Sequence, residues 1–193
     1  MKKFIISLML VVTALTAVAQ TGTEHLKFMG VPINGTLTQF VTKLKAKGLR
    51  SAAIKAGMAT LKGEFAGYKG CTIYAFTLKP KNVVSKVSVV FSGYQSWSQY
   101  ESHYLALKDM LTEKYGEPSA CVEEFQSIAN IDNDLLKLMG AKSGACKYVT
   151  DYISDKGQVE LSIESGGEEC WIRLLYIDKA NANVVREKAI NDL

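Results

Sequence analysis

Apolar residues recur in this chain with two periods. At Leu37, Phe40, Val41 and Leu44, and again at Trp97, Tyr100, Tyr104, Leu107, Leu111 and Tyr115, they fall three and four apart, the spacing of one helix face. Thr36 with Gln39, and Ser96 with Gln99, place capping-box chemistry at the start of each run, while Gly48 and Gly116-Glu117-Pro118 end them. Between the helices the period drops to two. From Met58 to Phe65, Ala59, Leu61, Gly63 and Phe65 alternate with Thr60, Lys62 and Glu64, which predicts a strand. Gly67-Tyr68-Lys69-Gly70 turns the chain into Cys71–Leu78, and Pro80-Lys81-Asn82 into Val83–Phe91, both rich in β-branched and aromatic residues. After the second helix a strand at Ala120–Phe125 and a short helix near Leu135–Met139 are expected. Strands at Cys146–Ile153, Gln158–Glu164 and Cys170–Ile177 follow, joined by Asp155-Lys156-Gly157 and Ser165-Gly166-Gly167, and a last helix covers Asn181–Ile190.

This order predicts an α+β fold. Two helix-plus-antiparallel-meander halves, 34–94 and 96–178, would pack as one domain with a C-terminal helix, the helices covering one face of the sheet.

The N-terminus carries a different pattern. Lys2 and Lys3 precede an uncharged, mostly apolar run from Phe4 to Leu15, then Ala17-Val18-Ala19, the plan of an export signal cleaved between Ala19 and Gln20. The alternative is an anchor, but a spanning helix needs about 20 apolar residues and this run is shorter. The first cysteine is Cys71, so no lipid acceptor stands at the cleavage point. The expected mature chain, 20–193, is one domain, periplasmic or secreted, without a stable membrane anchor. Losing Lys2 and Lys3 takes the formal net charge from +4 to +2, and Arg50, Arg173 and Arg186 are scattered, so the footprint of a nucleic-acid binder is missing.

Export changes the reading of Cys71, Cys121, Cys146 and Cys170. An even number of cysteines outside the cytoplasm points to two disulfides; the alternative is buried thiols. The preferred pairing is Cys71 with Cys121, tying the halves, and Cys146 with Cys170. The second pair would be about 9 to 10 Å apart if one strand lies between them, beyond disulfide reach without a bend.

No motif for catalysis, metal or cofactor survives inspection. His25 and His103 lack partner ligands in sequence, and no G-x-S-x-G elbow occurs. Asn130, Asp132 and Asp134 imitate a calcium loop, but Leu135 stands where the loop needs Gly and Ala141 where it needs Glu; loop and cap residues explain them better. Gly63, Gly67 and Gly70 precede a strand, not the helix a phosphate loop opens. Glu123-Glu124 and Glu168-Glu169 are adjacent pairs, which point to opposite faces in a strand. The candidate ligand-binding residues are Tyr94, Trp97, Tyr100 and His103, because aromatics with polar tips stack on sugars or anchor proteins. The alternative is that this helical stripe packs on the sheet.

Gly30-Val31-Pro32-Ile33-Asn34-Gly35-Thr36, Gly63-Glu64-Phe65-Ala66-Gly67-Tyr68, Lys114-Tyr115-Gly116-Glu117-Pro118 and Tyr176-Ile177-Asp178-Lys179-Ala180-Asn181 resemble a family of small secreted bacterial proteins of unknown function. Gly35-Thr36 entering a helix and the Lys-Tyr-Gly-x-Pro exit also look like the helix-and-meander modules of β-lactamase-inhibitor proteins and outer-membrane assembly lipoproteins. These resemblances imply an architecture and assign no activity. The expectation is a non-enzymatic envelope binding module with a protein or glycan partner, the alternative a hydrolase of envelope or dietary polymers.

Overall fold

A computed structural model describes residues 24–78, 82–126, 133–183 and 190. The export segment, Asn130 and Asp132 therefore lie outside the described residues. A two-stranded hairpin, β1 (Lys27–Phe28) and β2 (Val31–Pro32), precedes helix α1 (Leu37–Lys45). Strands β3 (Arg50–Lys55), β4 (Met58–Phe65), β5 (Tyr68–Leu78) and β6 (Val83–Phe91) follow, then α2 (Trp97–Tyr115), β7 (Ala120–Phe125) and α3 (Asp134–Lys142). The chain ends with β8 (Cys146–Ser154), β9 (Gly157–Gly166), β10 (Glu169–Asp178) and a helix that begins at residue 179. The strands form one antiparallel sheet of eight in the order β3-β4-β5-β6-β10-β9-β8-β7. Each half is thus a helix followed by a four-stranded meander, and the halves join where β6 pairs with β10, Leu174 opposite Val89. The fold is α+β.

The helices start where their caps place them. Thr36 Oγ1 accepts from Gln39 N–H at 3.3 Å and Gln39 Oε1 accepts from Thr36 N–H at 3.1 Å, a complete capping box. At α2 the box is only half made. Ser96 Oγ accepts from Gln99 N–H, but Gln99 Oε1 takes the Gln95 N–H instead, and Asp134 of α3 accepts from Ser98 N–H at 2.6 Å and Trp97 N–H at 3.2 Å. A carboxylate on one helix therefore caps another, where the helix dipole also favours it. Asn133 in turn caps α3 by accepting from Leu136 N–H.

One face of the sheet carries the core. Leu61, Ile73, Val89, Leu174, Leu161 and Thr150 line it, and Leu37, Phe40, Val41 and Leu44 of α1 with Tyr100, Tyr104, Leu107 and Leu111 of α2 pack onto it. Tyr104 shares a 2.6 Å hydrogen bond with Thr150, so the one polar group of that row is satisfied. At the far end Asp178, fully buried, closes the N-terminal segment onto β10. Its carboxylate accepts from Leu26 N–H (2.8 Å), Asn181 N–H (2.9 Å) and His25 Nδ1 (3.0 Å), while the Asn181 amide donates to Ile33 and Val84 carbonyls.

The cysteines depart from expectation. All four are free thiols. Cys71 on β5 and Cys121 on β7 are five strand spacings apart in the sheet order, about 24 Å, so that pairing is incompatible with the fold. Cys170 pairs with Ser165 of β9, and β8 lies beyond β9, so Cys146 and Cys170 are kept two spacings apart on the core face. Burial pushes the Cys71 and Cys170 thiols up and the Cys146 thiol up to about 12, which keeps them protonated and unreactive.

Candidate functional site

The connector from β6 to α2 crosses the middle of the chain at one end of the sheet, and Gly93, with φ 93°, provides a bend there that a side chain would resist. It delivers Tyr94 beside the first turns of α2. There the Tyr94 ring meets Tyr100 edge-on at 4.9 Å and stacks on His103 at 4.5 Å and 24°. Tyr68, the first residue of β5, closes on the same imidazole edge-on at 5.1 Å and meets Phe91 at 5.4 Å. His103 Nδ1 donates to the Gln99 carbonyl at 2.9 Å, which fixes the ring along its helix. Tyr100 donates its hydroxyl to the Cys170 carbonyl at 2.6 Å; burial, helped by that bond, raises its phenol. Burial likewise lifts the Tyr94 phenol to about 12, so both are neutral donors at any physiological pH.

Tyr94 lines two hollows. The larger, about 360 Å³, runs between the Gly93–Gln95 backbone, Tyr100, Lys142 at the end of α3 and Glu169 at the start of β10. The smaller, about 110 Å³, lies toward Tyr68, Lys69 and Phe91. A cleft with an aromatic wall, main-chain polar groups, one ammonium and one carboxylate is equipped to hold a small polar group by stacking and hydrogen bonds. A roomier depression of about 540 Å³, between Lys47 and Glu64 near the end of α1, lacks such convergence. Its wall contains one aromatic, Phe65, which belongs to the core stack with Phe28.

Of the residues expected from sequence, Tyr94, Tyr100 and His103 come together, and Trp97 does not. Trp97 is 1% exposed and packs against Phe125 at 4.7 Å and Tyr148 at 5.1 Å, so it serves the core under the second half. Helical geometry explains the split, since Trp97 and Tyr100 lie on adjoining parts of the buried stripe whereas His103 stands at its edge. Tyr68, Lys142 and Glu169 were not legible as site residues. Tyr68 sits in a turn motif, Lys142 reads as a last-turn helix residue, and Glu169 as one of a pair of surface acids.

Among the described residues no group of three or more His, Cys, Asp or Glu side chains could hold a metal, and no helix is long and apolar enough to cross a membrane. No known family model, curated protein or solved structure matches the chain.

Proposed function

We propose that the protein is an exported, non-enzymatic binding module that engages a protein or glycan of the cell envelope through the Tyr94 cleft. The observation that carries this reading is the convergence of Tyr94 and Tyr100 with Lys142 and Glu169 around a 360 Å³ cleft, the Tyr94 ring being held by its stack on His103. Stacked aromatic rings lose little freedom on binding, and the opposed charges suit a short segment bearing both a cationic and an anionic group. The covered thiols of Cys71, Cys146 and Cys170 suit export as well, because protonated, covered cysteines resist oxidation, whereas Cys121 is exposed. The hydrolase alternative draws less support. The cleft brings Glu169 without a second carboxylate, and His103 Nδ1 is occupied by its own helix.

The test is a titration of the processed protein with envelope-derived peptides and oligosaccharides, followed by amide chemical shifts, with Tyr94→Ala as control. Shifts confined to Ser92–Tyr100, Lys142 and Glu169, abolished in the variant, are expected. Turnover of a titrant would favour the hydrolase. Mass spectrometry of the same preparation should find a chain beginning at Gln20; a cytosolic chain beginning at Met1 would remove the envelope from the reading.

A further inference from the structure

Apart from the start of the C-terminal helix, whose Lys179 and Ala182 line a hollow with Ile153, Gln158 and Ile177, the second face of the sheet is covered by no described element. Antiparallel sheets often leave one face to water, so this alone means little; how the charges are divided on that face means more. Strand register places Lys55, Lys62 and Arg50 of β3 and β4 with Lys86 of β6 on the uncovered side, and the one carboxylate of β3 to β6, Glu64, stands at the β4 bulge without a paired position. Arg50 stands directly opposite Lys62, a like-charge pair that costs stability unless anionic groups approach it. The other half is acidic. Glu124, Asp151, Glu160 and Glu164 of β7 to β9 face the same side, against Lys147 and Arg173, and Arg173 is already held by Glu160 and Glu164. Between them runs a half-buried apolar band with Tyr74 stacked near Phe76, then Val90, Leu175, Ile177 and Trp171.

The sign changes at the β6–β10 boundary, which is also the middle of the eight-strand order. We infer that this face is the interface with a second copy of the chain. A twofold axis lying along that boundary, parallel to the strands, turns one sheet onto its copy so that β4 faces the partner copy's β8 and β3 its β7. Each basic half then meets an acidic half, and the apolar bands meet at the centre. Such an isologous contact is self-complementary and closes at two subunits. The area also fits: eight strands about 4.8 Å apart and about 20 Å long present roughly 700 Å² per copy, close to the roughly 800 Å² per partner of a stable interface. The inference is independent of the Tyr94 cleft, which lies at the end of the sheet.

Sedimentation of the purified chain at low and high salt tests it. The wild type should dimerise reversibly, with a dissociation constant that rises with ionic strength. Two reciprocal variants sharpen the test: Arg50→Glu, Lys55→Glu and Lys62→Glu together make both halves acidic, and Glu124→Lys with Asp151→Lys makes both basic. Each alone should be a folded monomer at the concentration where the wild type is half dimeric, shown by circular dichroism and sedimentation. An equimolar mixture should restore a one-to-one heterodimer. A wild-type chain that stays monomeric to millimolar concentration would overturn the inference. So would variants that self-associate like the wild type, or two folded variants that fail to pair. If the variants do not fold, the wild-type salt series decides.

Discussion

Replacing Asp178 with alanine removes one buried carboxylate and leaves three donors without their acceptor. Asp178 is 0% exposed, and its oxygens take the Leu26 and Asn181 backbone N–H groups and the His25 ring. The Leu26 bond is buried, and an orphaned buried donor costs roughly 1 to 3 kcal/mol. The Asn181 and His25 bonds are partly buried, so their donors recover part of the loss from water. The sum is about 3 to 5 kcal/mol, which for a chain of this size lowers the melting temperature by about 6 to 20 °C. The network also holds the N-terminal segment to β10 through Asn34, whose amide donates to His25 Nε2 at 2.7 Å. Loss should therefore be accompanied by faster hydrogen exchange at Leu26 and Ile33. His25→Ala should cost less, because both backbone bonds to Asp178 survive it. Urea unfolding of wild type, Asp178→Ala and His25→Ala gives the three stabilities. A loss below about 1 kcal/mol for Asp178→Ala, or a larger loss for His25→Ala, would refute the hub.

Three further outcomes follow from the geometry. The Ser98 and Trp97 N–H groups hold the Asp134 carboxyl below its ordinary value, so it stabilises the fold above its unfolded pKa of about 3.9, and that contribution is lost as pH falls through the lower folded value. Asp134→Asn should therefore lower stability at neutral pH and flatten the decline below about pH 3.9; parallel acid-unfolding curves would contradict it. Gly157 has φ 153°, and a Cβ there would lie 2.1 Å from the Ile177 carbonyl oxygen. Gly157→Ala should thus cost about 2 to 4 kcal/mol, measured by thermal unfolding, and a neutral substitution would contradict the close approach of the β8–β9 turn to Ile177. Non-reducing peptide mapping should find four free thiols with Cys121, the exposed one, alkylated first; a Cys71–Cys121 bond would contradict the strand order.

Where a single period governed a segment, the sequence was legible. The α1 and α2 stripes and the alternation of β4 read correctly because each buries one face and exposes the other. β3 escaped notice because all six of its residues are exposed at the sheet edge, so no alternation marks it. The joining of the two meanders through β6 and β10 was also hidden, since strand order between distant segments leaves no local trace, and the cysteine pairing failed for that reason. The candidate site shows the same limit. Tyr94, Tyr100 and His103 share one short stretch and could be grouped by eye, whereas Lys142 and Glu169 join them only through the packing of α3 and the β9–β10 turn. The sequence marks Asp134 as a loop or cap residue before α3; that it caps α2 depends on the tertiary contact between the two helices.

The most direct test of the binding account is the Tyr94 cleft itself. Titration of the processed protein with short envelope peptides and oligosaccharides, read by amide shifts, should perturb Gly93, Tyr94, Gln95, Tyr100 and Lys142 together, saturably. Tyr94→Ala should keep the fold, because Tyr94 is only half-buried, and should weaken binding at least about tenfold, the loss of one aromatic anchor. Saturable shifts located elsewhere, or affinity unchanged in Tyr94→Ala, would contradict it.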